Sequence, residues 1–123
     1  MKGSETDRYA PVWLYTEQND PQAVRLSENG QLNKRIVLHR LREHFRFPDY
    51  FGENWDAAYD LLLDQVDQLD KPAEWRFSIR GARVINEADL SDWVQLMTDL
   101  CRYADTRGVP LKVVILSDPP RQS

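Results

Sequence analysis

Apolar and polar residues follow three different rhythms along this chain, and together these predict an α/β domain. Val12-Trp13-Leu14-Tyr15 and Ala23-Val24-Arg25-Leu26 are short apolar runs that predict strands, separated by the turn-forming Gln18-Asn19-Asp20-Pro21. Glu28-Asn29-Gly30-Gln31 predicts a second turn. From Lys34 to Phe45, Val37, Leu38, Leu41 and Phe45 recur at helical spacing, with Asn33 placed as N-cap and Pro48 as stop. A second helix is predicted after Gly52, which allows the tight turn into it. Glu53 or Asn54 stands near its cap, Gln68 near its end, and Lys71-Pro72 closes it. Glu74 to Arg80 sets Trp75, Phe77 and Ile79 on one side, as a half-buried strand does. Asn86, with Asp89 three residues on, reads as a variant capping box. It opens a third helix carrying Leu90, Trp93, Val94, Met97, Leu100, Cys101 and Ala104. Gly108 is its C′ residue, and Arg102 and Arg107 suit its negative end. The β-branched run Leu111 to Leu116 predicts a buried strand, and Asp118-Pro119-Pro120 ends order. Strands alternating with helices imply crossover connections and a parallel sheet. The expected organisation is a loose tail over 1–11, a single domain over 12–118 and a tail over 119–123.

Composition narrows the function classes. A chain of 123 residues with 41% hydrophobic residues holds one domain and a real core. The single cysteine, Cys101, excludes an internal disulfide framework and a cysteine-based zinc site. The first residues lack the apolar core of a secretory signal, and no run approaches the roughly 20 apolar residues that span a bilayer. A reducing, cytoplasmic setting is expected. The net charge of −4 argues against nonspecific nucleic-acid binding. Its distribution says more. Lys34, Arg35, Arg40, Arg42 and Arg46 face only Glu43, whereas Phe47 to Asp70 holds seven carboxylates and no Lys or Arg.

On a helical wheel of about 100° per residue, Asp56, Asp67, Asp60, Glu53 and Asp64 fall within roughly 80° of one another. Trp55, Ala58, Leu62, Val66 and Leu69 fall on the opposite side, which is expected to dock on the sheet. Like charges at i,i+4 cost a few tenths of a kcal/mol each. A helix built only for stability would interleave lysines, and this one has none. Three readings fit: a solvated acidic face, a carboxylate pair for a metal or for acid–base work, and a ridge that imitates polyanionic phosphate for a basic protein. The second is weakened by the absence of histidine and of an evident apolar pocket. Tyr50, Phe51, Trp55 and Tyr59 favour the third, since aromatics anchor interfaces. His39 and His44 read as surface residues, Cys101 as a buried thiol, and Trp75 and Trp93 as core.

Phe47-Pro48-Asp49-Tyr50-Phe51-Gly52-Glu53-Asn54-Trp55-Asp56-Ala57-Ala58-Tyr59-Asp60 resembles, without a gap, the signature of the barstar family of intracellular ribonuclease inhibitors. The resemblance extends more loosely over roughly residues 23 to 117. It implies a small three-stranded parallel sheet with helices packed against it. Val12 to Tyr15 is then either an added N-terminal strand or a replacement for the family's first. It also implies that Tyr50, Asn54, Trp55, Asp56, Tyr59 and Asp60 contact a basic ribonuclease of the barnase type, with Asp60 entering the phosphate-binding active site. The weight on Asp60 comes from the resemblance. Leu63, Asp64 and Gln65 depart from the family's prototype, lengthening the helix and adding Asp64 as a further contact carboxylate. Tyr103 stands roughly where a further acidic contact is expected. The implied protein is an inhibitor and not an enzyme, without cofactor, metal, direct nucleic-acid or membrane partner, and monomeric when free. The alternatives are an immunity or interaction module for another basic toxin and, less well supported, a small metal-dependent enzyme.

Overall fold

The computed structural model describes residues 8–120. In chain order the elements are β1 (Val12–Tyr15), β2 (Val24–Arg25), β3 (Gln31–Leu32), α1 (Lys34–Phe45), α2 (Trp55–Asp67), β4 (Ala73–Ser78), β5 (Val84–Ile85), α3 (Glu87–Thr106) and β6 (Leu111–Ser117). The main sheet has the order β1-β6-β4-β2, and every pairing in it is parallel. It therefore has the three parallel strands that the resemblance implied and one more, β1, the added N-terminal strand that was the first of the two readings of Val12 to Tyr15. Both N-terminal runs are strands, and they occupy opposite edges. β3 and β5 form a separate two-stranded parallel sheet, which two-residue segments are too short to announce by periodicity.

Strand alternation divides the main sheet's faces. Trp75 and Phe77 turn toward the helices: the Phe77 ring meets Trp93 of α3 edge-on at 5.0 Å, and Trp75 meets Phe45 of α1 at 4.9 Å. Trp93 is fully buried as expected, but Trp75 is only half-buried. On the other face the connection from β1 to β2 crosses the sheet. Asp20 ties it to Arg76 at 2.7 Å, and Asn19 bonds to Arg80. Hydrogen bonding to Arg76 holds the Asp20 carboxyl below its ordinary range.

Three asparagines start the three helices, each accepting a backbone N–H with its side chain. The expected box at α3 does not close. Asp89 instead accepts the Lys34 N–H at 2.8 Å, which ties the start of α3 to the start of α1. α2 also departs from expectation, because its stripe packs chiefly on α3 and α1 rather than on the sheet. Its residues Ala58, Leu62 and Val66 are nonetheless completely buried. Of the expected N-terminal tail, residues 1–7 lie outside the described residues, as do 121–123 of the C-terminal tail. Residues 8–11 are held: Tyr9 donates to Asp105 at 2.7 Å, and Pro11 is buried. No helix among the described residues is long and apolar enough to cross a membrane.

Candidate functional site

The connection into α2 is built from paired aromatics. Arg46 ends α1 in the left-handed region (φ 57°), and the chain then buries Phe47 and Phe51 with their rings 4.9 Å apart. A turn in which the Phe51 N–H donates to the Pro48 carbonyl leaves Asp49 and Tyr50 outside, and Tyr50 is 83% exposed. Gly52 stands in the tight turn into α2, as expected. The left-handed residue at the entry is Glu53 (φ 48°), and Gly52 serves by being small. A Cβ there would lie 3.2 Å from the Asn54 amide nitrogen, which donates to the Gly52 carbonyl. The same Asn54 side chain accepts the Ala57 N–H at 2.8 Å, so the cap that sequence left between Glu53 and Asn54 is Asn54.

Behind that cap, Asp56, Asp60 and Asp64 rise on successive turns, all exposed, with Glu53 exposed before them. None of the four takes part in an ion pair or a side-chain hydrogen bond among the described residues. Asp56 lies in the first turn, where the helix dipole favours a carboxylate. Trp55 and Tyr59 are half-buried and pack against the core with their outer edges in solvent. Burial, then Asp99 and Asp60, push the Tyr59 phenol above its ordinary range. The sequence reading missed Asp99, which α3 brings beside Tyr59. Its polar spacing with Gln95 and Arg102, both hydrogen-bonded to it, was the available signal.

Asp67, the fifth carboxylate of the wheel, is not part of the open ridge. The Tyr103 hydroxyl donates to it at 2.6 Å, and the Arg107 guanidinium pairs with it at 3.3 Å. The bond to Asp67, with burial and its charge, raises the Tyr103 phenol. Arg107 also donates to the Val66 and Asp67 carbonyls at 2.7 and 3.0 Å. It thus satisfies the last carbonyls of α2, where the sequence placed it as a complement to its own helix α3. Arg102 likewise goes to Asp99 at 3.0 Å. Leu63 and Gln65 are half-buried within the continuous helix.

The site therefore offers three unpaired aspartates along one helix, a projecting Tyr50, and Trp55 and Tyr59 at the margin of the core. No group of three or more His, Cys, Asp or Glu among the described residues is arranged to hold a metal ion. This geometry suits contact with a cationic surface. The family model for Barstar (barnase inhibitor) matches residues 22–116. The chain belongs to the barstar family. The matched span holds α1, α2, α3 and every strand except β1, apart from the last residue of β6. Proteins described as uncharacterized oxidoreductases, from Mycobacterium bovis and Mycobacterium tuberculosis, are 38% identical over 63 residues, half of this chain. The match covers 7% of those proteins' own length. The barstar-family assignment rests on the wider match.

Proposed function

We propose that this barstar-family domain inhibits a basic ribonuclease of the barnase type by seating the free carboxylates of α2 in the enzyme's cationic active site. Asp60 would take the place of an RNA phosphate. Asp56 and Asp64 flank it one turn to each side, and Tyr50, Asn54, Trp55 and Tyr59 form the surrounding contact surface. The observation that carries the reading is the unpaired state of Asp56, Asp60 and Asp64. Like charges spaced at i,i+4 repel one another along the free helix, and no cation among the described residues pairs with them. A cationic partner would. Because Asn54 is engaged as the helix cap, its contribution is to fix the start of the ridge as much as to touch the enzyme. The residues Leu63, Asp64 and Gln65 shift partner choice within this mode, since they lengthen the helix beyond the contact turn.

The test is titration of the purified chain against a barnase-type nuclease in an RNA-cleavage assay, repeated from low to physiological salt. Near-stoichiometric inhibition is expected, with an association rate that falls steeply with salt and a dissociation rate that changes little. Absence of inhibition, or a salt-independent association rate, would overturn the steered active-site block.

A further inference from the structure

We propose that β1 is a self-pairing edge, through which two copies of this chain join antiparallel across a two-fold axis into one continuous sheet. The two edges of the main sheet differ sharply. β2 is two residues long and carries exposed Arg25, and the part of β4 beyond it carries Glu74 and Arg76. Short strands and charges are what keep an edge from pairing. β1 has neither guard. It carries no charge, and Val12, Trp13, Leu14 and Tyr15 remain 49%, 37%, 43% and 56% exposed. It also lies outside the span matched by the family model, so the family's own fold does not explain it.

Backbone parity selects the pairing. The Thr16 N–H donates to the Ser117 carbonyl at 2.9 Å, and Tyr15 is in parallel register with Ser117. Val12 and Leu14 therefore share Thr16's orientation toward β6, and the N–H and C=O groups of Trp13 and Tyr15 point to the open side. In an antiparallel pair, outward residues must face outward residues. Trp13 against Tyr15 of the second copy, with its symmetry mate, makes two hydrogen-bonded pairs and sets two aromatic pairs across the seam. Leu14 then faces Leu14 of the second copy at the close, non-bonded position. Of the two neighbouring registers, Trp13 on Trp13 would set Tyr15 against Pro11, which has no N–H to give, and Tyr15 on Tyr15 would set Trp13 against Glu17, beyond the end of β1.

The pairing uses the unguarded edge of each copy and leaves the guarded β2 edges outside, which closes the assembly at two. Such a seam is smaller than a standard interface, so the dimer is reversible. It differs from the free monomer expected from sequence. α2 packs on α3 and α1, away from β1, so both acidic ridges stay open and the pairing does not depend on the inhibitory reading.

Sedimentation from about 1 μM to about 1 mM should show the average mass rising toward twofold, as a small interface requires. Leu14→Lys should hold it at the monomer value without moving the unfolding midpoint. Under mild oxidation Leu14→Cys should form a covalent dimer, because the Cα atoms of a non-bonded antiparallel pair lie within disulfide reach. Val12→Cys should not, since this register separates the two Val12 positions by roughly 13 Å along the strand. The unaltered chain, whose Cys101 is buried, is the control. A mass that stays monomeric throughout, a dimer that survives Leu14→Lys, or cross-linking of Val12→Cys as readily as Leu14→Cys would each overturn the proposal.

Discussion

Asp60 and Asp67 are the same residue type, on the same side of one helix, within two turns of each other, and the fold treats them differently. Asp60 is exposed and has no partner among the described residues, whereas Asp67 holds a tyrosine hydroxyl and a guanidinium. The helical wheel groups them because it knows only α2. What separates them is α3, whose last turns deliver Tyr103 and Arg107 to one end of α2 and leave the other end open. A charge that the fold has paired is part of the structure; one it has left unpaired is available to another molecule.

The largest expected effect tests the open end. Asp60→Ala should weaken inhibition of a barnase-type nuclease by about 2–5 kcal/mol or more, because it strands enzyme cations in a desolvated pocket. The same change should leave the unfolding midpoint unchanged or slightly raised. Leu62→Ala, two residues on and fully buried, should cost about 2–5 kcal/mol of stability instead. Thermal unfolding and an inhibition titration of both variants separate the two roles. An Asp60→Ala variant that unfolds like Leu62→Ala would erase the distinction, and one that inhibits normally would sink the binding mode. Asp67→Ala should cost under about 1 kcal/mol of binding in the same titration.

The next effect tests the closed end. Arg107→Ala removes two charge-assisted bonds to the final carbonyls of α2 and the pairing with Asp67. A loss of stability of about 1–2 kcal/mol is expected, measured by denaturant unfolding, with inhibition unchanged at temperatures where the variant is folded. If inhibition fell while stability held, Arg107 would belong to the contact surface and not to the α2–α3 joint.

How far sequence could reach follows from the same contrast. α1, α2 and α3 were legible because their apolar residues repeat at helical spacing and asparagines stand at their starts. The open carboxylates were legible because they need no partner within the chain. Arg107 and Asp89 were misplaced because their partners lie 41 and 55 residues away in sequence, and local capping rules offered nearer ones. The turn at Gly52 was read from composition, which cannot show that Glu53 takes the left-handed conformation. β3 and β5 are too short to carry a period, and the number of strands in the sheet depended on long-range pairing.

A smaller effect distinguishes two members of the open ridge. Asp56 occupies the first turn of α2, where the dipole stabilises a carboxylate by about 0.3–1 kcal/mol, and this outweighs its repulsion with Asp60. Asp56→Ala should therefore lower stability by a few tenths of a kcal/mol, while Asp60→Ala does not. Paired unfolding curves at low salt measure the difference. Equal, slightly raised midpoints would mean that repulsion along the ridge exceeds the dipole term even at its first turn.

The smallest effect is a pH signature of the closed end. Tyr103 donates to the Asp67 carboxylate, and this bond, with burial and the carboxylate's charge, raises the phenol above its ordinary value of 10.0. Losing the proton would set a phenolate against a carboxylate. A group whose pKa is higher folded than unfolded holds its proton more tightly when folded. Its contribution is complete below the unfolded pKa and disappears as pH rises through the folded one. Stability should therefore show an alkaline loss, beginning near pH 10, that is reduced in Tyr103→Phe. The Tyr59 phenol is raised as well and contributes in the same direction, so the difference between the two chains, not either curve alone, reports Tyr103. Denaturant unfolding of both chains from pH 8 to pH 11 supplies that difference. Coincident curves would mean that Tyr103 does not hold Asp67 in solution, and the fifth carboxylate would then rejoin the ridge that the helical wheel drew.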